Sequence, residues 1–218
     1  MDNENTLSLT NAVAKKLLLL KTFRVQTTNP FTWANGWRAP IYFDDRKILS
    51  YPSARNFIKL ELARFVAEQY PDADIIAGIA SNAIAHSTLV AEQLGLPQIY
   101  IYPTPKDHGL ENQIEGVLRP RQNVVIIENQ VNVGSNAMKV IEAIRNNGCK
   151  VLGMVTIFNY NFPFAMRKFR TVDVELLALT DFEAFLQEAV RLETLNESEI
   201  HILREWHRSP SKWEKTKR

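Results

Sequence analysis

The 218-residue chain is 45% hydrophobic and carries 26 Lys and Arg against 24 Asp and Glu, a formal net charge of +2. That length can bury one substantial core, and so small a charge calls for neither nucleic acid nor an anionic membrane, while a small anionic ligand stays compatible. The single cysteine, Cys149, excludes an internal disulfide and any metal cage built from cysteines, which fits a reducing compartment and a cytoplasmic location.

The opening residues Met1-Asp-Asn-Glu-Asn are acidic and polar, unlike a signal peptide, and the apolar run 17–20 is far shorter than the roughly 20 residues a membrane span needs. Apolar residues at Ala12, Val13, Leu17 and Leu20 give residues 8–20 the spacing of a helix with one buried face. Residues 31–46 are rich in aromatics, Pro and Gly and read as loop and short strands. Helical spacing returns over 54–69 through Phe57, Leu60, Phe65 and Val66. The apolar run 73–80 then reads as a strand. Ser81-Asn82 follows as a helix cap, and 84–94 reads as a helix stopped by Gly95 and Pro97. Residues 98–102 are the next strand, 124–127 another, 137–145 a helix closed by Gly148, and 151–158 a further strand. Alternating strands and helices, with nearly continuous apolar strands, imply a parallel sheet covered on both faces.

Ligands of such sheets sit beyond the carboxyl ends of the strands, so the loops 80–83, 102–116, 128–135 and 159–162 hold the candidate chemistry. Glu128 and Asn129 end an apolar run that leads through Asn132, Gly134 and Ser135 into a helix. Free backbone N–H groups and the helix dipole there suit a phosphate, Gly134 permits close approach, and the Ser135 hydroxyl can donate. An ordinary βα turn would use the same residues. Lys106-Asp-His-Gly109 and Glu115-Gly116 lie in a long polar connection that is either a solvated loop or a lid over a diphosphate. The aromatics of 31–46 suit either ring stacking beside Arg38 or Arg46, or plain packing.

Taken in order, these segments resemble the orotate phosphoribosyltransferase family over nearly the whole chain. Phe31-Thr-Trp-Ala-Asn-Gly36 with Pro40-Ile-Tyr-Phe-Asp-Asp-Arg46 looks like its orotate-side segment, Lys106 to Gly116 like its catalytic loop, and residues 124–135 like its phosphoribosyl diphosphate motif. The resemblance implies an α/β fold, a type I phosphoribosyltransferase-like parallel sheet flanked by helices. It also implies an N-terminal cap or hood over about 1–60 and a core over 61–218. It further implies a cytoplasmic homodimer that transfers ribose 5-phosphate from Mg²⁺-bound phosphoribosyl diphosphate to orotate, with no nucleic acid or membrane partner. Lys106 and His108 would act on the diphosphate, from the neighbouring subunit in the family. Glu128 and Asn129 would hold the ribose, and Asn132, Gly134 and Ser135 the 5-phosphate, while Tyr42 and Phe43 lie where the family lays orotate against aromatic rings.

Four places depart from the family pattern, one of them Gln130, Asn132 and Val133 where it has apolar, hydroxyl and small residues. Its acidic pair is Glu128-Asn129 here, its loop Arg is replaced at Tyr102-Pro103-Thr104, and its Gly-rich turn reads Ser81-Asn-Ala-Ile-Ala85. Beside an active orotate enzyme, two other outcomes therefore stay open. One is a catalytically inactive relative that binds a nucleotide or phosphosugar in a regulatory role, and the other is a transferase for another base.

Overall fold

A computed structural model of the chain describes residues 2–105 and 112–213. In chain order it runs α1 (Asp2–Leu19), β1 (Phe23–Val25), β2 (Phe31–Thr32), β3 (Arg38–Ala39), β4 (Ile41–Phe43) and a 3-10 turn at Asp45–Ser50. Then follow α2 (Pro52–Gln69), β5 (Ile75–Ile79), α3 (Ile84–Leu94), β6 (Gln98–Ile101) and β7 (Ile114–Glu115). The chain continues through β8 (Asn123–Val131), α4 (Ser135–Asn146), β9 (Lys150–Asn159), α5 (Pro163–Thr171) and β10 (Glu175–Asp181). It closes with α6 (Phe182–Arg191) and α7 (Glu197–Arg208). The contacts define two compact units, Met1–Ala54 with Phe182–Arg218, and Arg55–Asp181.

The first unit is built on aromatic packing. β1 and β4 pair antiparallel, and Phe23 stacks on Phe43 with ring centroids 4.6 Å apart and meets Phe185 of α6 at a tilt, 4.3 Å away. The chain enters β1 through Thr22, whose buried hydroxyl donates to the Leu17 carbonyl and so satisfies the end of α1. Trp206 of α7 is fully buried, meets Trp33 edge-on and donates its indole N–H to the Arg38 carbonyl at 3.2 Å. Helix α7 starts at a capping box in which the Asn196 side chain accepts from the Glu199 N–H, and the Glu199 carboxylate accepts from the Asn196 N–H.

The second unit is a six-stranded sheet in the order β10-β9-β8-β5-β6-β7, parallel except for the antiparallel β6–β7 pair. Successive side chains of β5 point to opposite faces. Ile75, Ala77 and Ile79 join a core with Ala137, Val140, Ile141 and Ile144 of α4. On the other face Gly78 lies against Ser87 and Ala83 at the start of α3. Helices thus cover both faces, as the continuous apolar strands require. Each of Val140, Ile141 and Ile144 is essentially fully buried and contributes roughly 2 kcal/mol by leaving water.

At the opposite end from the carboxyl tips, Gly153 of β9 admits the Tyr70 ring, because a Cβ there would collide with that ring and its hydroxyl. The hydroxyl donates to the Glu175 carboxylate at 3.3 Å, and burial, reinforced by that carboxylate, holds its pKa above the usual tyrosine value. Gly153→Ala is expected to cost about 2 kcal/mol through overpacking, read as a lowered urea midpoint. An unchanged midpoint would contradict this account of the site.

Candidate active site

The strand order places a topological switch point at the centre of the sheet. From β5 the chain passes through α3 to β6 on one side, whereas β8, β9 and β10 build outward on the other. The crevice beyond the carboxyl ends of β5 and β8 is where open α/β sheets bind ligands.

Strand β8 is longer than the four residues 124–127 read from the sequence. It pairs with β9 through Glu128↔Thr156, Gln130↔Phe158 and Val131↔Asn159. The polar run Glu-Asn-Gln looks like loop by composition, but β9 is ten residues long and offers ladder partners that override it. Only residues 132–134 remain as a connection to α4. There the Asn132 side chain accepts from the Val133 N–H at 2.6 Å, and Gly134 takes a left-handed φ of 72° as the N-cap. Among the described residues no side chain caps α4, and the first N–H groups of any helix lack intrahelical partners. Ser135, the first helical residue, is exposed. Backbone N–H groups, one hydroxyl and a glycine turn in this arrangement can hold an anion.

Glu128 and Asn129 do not share one environment. Glu128 is half-buried, and its carboxylate accepts from the Asn129 N–H at 2.9 Å. Asn129 is buried, and its amide donates to the Asn82 carbonyl at 2.8 Å. That bond ties the tip of β8 to the turn that leaves β5, across the switch point. In the same turn the Ala80–Ser81 peptide is cis. Ser81-Asn82 does not cap α3, whose N-cap is Ala83 without a side-chain bond. The amide at 129 therefore has a structural reason of its own: it donates to a carbonyl, which an ionised carboxylate cannot do.

The remaining sequence candidates belong to other segments. Tyr42 and Phe43 lie in the first unit. The pleat of β4 turns Tyr42 outward, while Phe43 is buried against Phe23. Lys106 and His108 lie outside the described residues. Tyr102, at the mouth of that connection, donates its backbone N–H to the Gln113 carbonyl at 2.9 Å and sets its ring edge-on to Tyr100 at 6.0 Å.

Named relatives match nearly the whole chain. The chain is 49% identical over 207 residues to the orotate phosphoribosyltransferase of Phocaeicola vulgatus, covering 95% of this chain and 98% of that one. It is 48% identical over 206 residues to that of Porphyromonas gingivalis, covering 94% and 98%. The chain belongs to the orotate phosphoribosyltransferase family. Among solved structures it is similar to the orotate phosphoribosyltransferase of Aeropyrum pernix, with a TM-score of 0.72 and 22% identity over 84% of this chain and 99% of that one. The fold is therefore the type I phosphoribosyltransferase α/β sheet flanked by helices. No family model matches the chain.

One basic residue at this orotate phosphoribosyltransferase-like site escaped the sequence reading. Lys168, on α5, donates to the Val133 carbonyl at 2.9 Å and to the Ser135 hydroxyl at 3.4 Å. It stands 33 positions after Ser135, beyond the reach of a local motif. The only signal in sequence is its place in the last turn of an amphipathic helix that follows the 159–162 loop.

Proposed function

We propose that the chain transfers ribose 5-phosphate from phosphoribosyl diphosphate to a ring nitrogen of orotate, forming orotidine 5'-monophosphate and diphosphate. The observation that carries this reading is the short phosphate cradle of residues 132–135 at the switch point, in a chain with near-full-length relatives of that name. A new C–N bond forms at the anomeric carbon as the C–O bond to diphosphate breaks, so the sugar passes through an oxocarbenium-like state. Positioned charge is what such a step requires.

In this reading Ser135 and the first turn of α4 hold the 5-phosphate, Gly134 permits the approach, and Asn132 keeps the turn in shape. The Glu128 carboxylate faces the ribose and favours the developing positive charge. Asn129 supports it by fixing the β8 tip, and Tyr42 offers an exposed ring for the planar base. Lys106 and His108 neutralise the departing diphosphate, supplied across a homodimer. Among the described residues no group of three or more His, Cys, Asp or Glu could hold a metal ion. In this reading magnesium enters with the diphosphate, as part of the substrate. Among the described residues, too, no helix is long and apolar enough to cross a membrane.

Purified protein supplied with phosphoribosyl diphosphate, orotate and Mg²⁺ is expected to consume orotate, followed by its ultraviolet absorbance, and to stop when any component is withheld. Absence of turnover under these conditions, or turnover only with a different base, overturns the reading.

A further inference from the structure

Residues 128–135, which shape the cradle, carry one charged side chain, and that is the acid Glu128. A sugar phosphate brings about two negative charges, and helix-end N–H groups supply only a partial positive charge. A cation from elsewhere in the fold would complete the site, and α5 provides one.

The placement of Lys168 is fixed by its surroundings. Side chains of α5 pack closely on the Gly134 turn. A Cβ at Gly134 would lie 3.4 Å from the Phe169 ring and 3.9 Å from the Ala165 side chain. The segment entering α5 is also tied to β8, because the Tyr160 N–H donates to the Val131 carbonyl at 3.0 Å. From this base the half-buried Lys168 reaches back to the Val133 carbonyl and the Ser135 hydroxyl. An ammonium has three donors; these contacts use two. By accepting from Lys168, the Ser135 oxygen keeps its own proton free to donate to a phosphate oxygen. The cation therefore stands one atom away from where the phosphate of the proposed substrate binds.

We infer that Lys168 is a phosphate-binding residue of this site. It neutralises the 5-phosphate directly and polarises the Ser135 hydroxyl that shares it. The inference rests on the proposed sugar-phosphate reading. A brace that only shaped the turn would need the two protein contacts and no ligand, and the two roles separate on charge.

The test is calorimetric binding of ribose 5-phosphate to the full chain, as wild type, Lys168→Met and Lys168→Arg, at low and moderate salt, with KM for each substrate beside it. Lys168→Met is expected to weaken ribose 5-phosphate roughly ten- to hundredfold and to flatten its salt dependence. It should also raise KM for phosphoribosyl diphosphate while leaving KM for orotate and the melting temperature nearly unchanged. Lys168→Arg should recover most of the affinity. Equal affinity and equal salt dependence in wild type and Lys168→Met overturn the inference. So does a Met variant that melts early and loses both substrates alike. A wild type without orotate turnover that still binds ribose 5-phosphate through Lys168 overturns the proposed function and leaves this inference standing.

Discussion

Asn129→Asp is expected to destabilise the protein by roughly 3 kcal/mol at neutral pH and to lower orotate turnover, although it would supply the acidic pair that the resemblance implies. The reason is the direction of one hydrogen bond. The Asn129 amide donates to the Asn82 carbonyl from a side chain only 1% exposed. An ionised aspartate would set a carboxylate oxygen against that carbonyl, at a depth solvent does not reach. Both partners would then be acceptors, and the tie between β8 and the turn after β5 would open.

The pH dependence of the variant provides a second check. Burial raises the pKa of a carboxyl group, so the introduced carboxyl would hold its proton in the folded state at a pH where the unfolded chain has released it. The folded pKa would exceed the ordinary aspartate value. The penalty is therefore present above the folded pKa and shrinks as pH falls toward about 4, where the protonated acid can donate to Asn82 much as the amide does. Urea midpoints of variant and wild type at pH 7.5 and pH 5 measure this, since other titrations cancel in the difference. A variant as stable as wild type at pH 7.5, or one that turns over faster, would remove the structural account of Asn129.

The same residue marks how far sequence reasoning reached. The repeating strand-helix units from β5 to β9 were legible because their apolar runs are unbroken and buried on both faces. Ile75 to Ile79 are buried without exception, and α4 keeps an apolar face through Ile144. The fold class follows from that pattern alone. The polar tip of β8 was not legible, since Glu128, Asn129 and Gln130 join a ladder that only the length of β9 makes available. Strand β10 lacks so plain a period, since its burial is mixed from Glu175 to Asp181, whereas helices α5 to α7 are as clearly amphipathic as α4 and lay within reach of the sequence. Lys168 was out of reach for a different reason. Its contact with Ser135 is made by packing of α5 on the Gly134 turn, which no spacing rule encodes. Asn82 likewise takes part through a carbonyl, and every residue type has one.

His86 sets the other large expectation, a loss of about 3 kcal/mol of stability between pH 6.5 and pH 4 that no surface group accounts for. It lies in the first turn of α3, 1% exposed, and among the described residues neither ring nitrogen has a hydrogen-bond partner. Burial alone pushes its pKa from 6.5 down to about 4. Above pH 6.5 the ring is neutral in both folded and unfolded chains, so this group imposes no pH dependence there. As pH falls below 6.5 the unfolded chain takes up a proton that the folded protein refuses until about pH 4, and the difference appears as lost stability, complete below that pH. A fall of 2.5 in pKa, 6.5 less 4, corresponds to about 3 kcal/mol. His86→Met keeps a side chain of comparable reach without a titrating group or an unsatisfied nitrogen. It should match or exceed wild-type stability at pH 7.5, since an unpaired buried polar group costs about 1 to 3 kcal/mol. The stability gap between variant and wild type should then widen steadily from pH 6.5 to pH 4, because every other titration is common to both chains. A gap that stays constant across that window would mean that the folded protein accommodates a charged His86, and that the core around α3 is wetter than its burial implies.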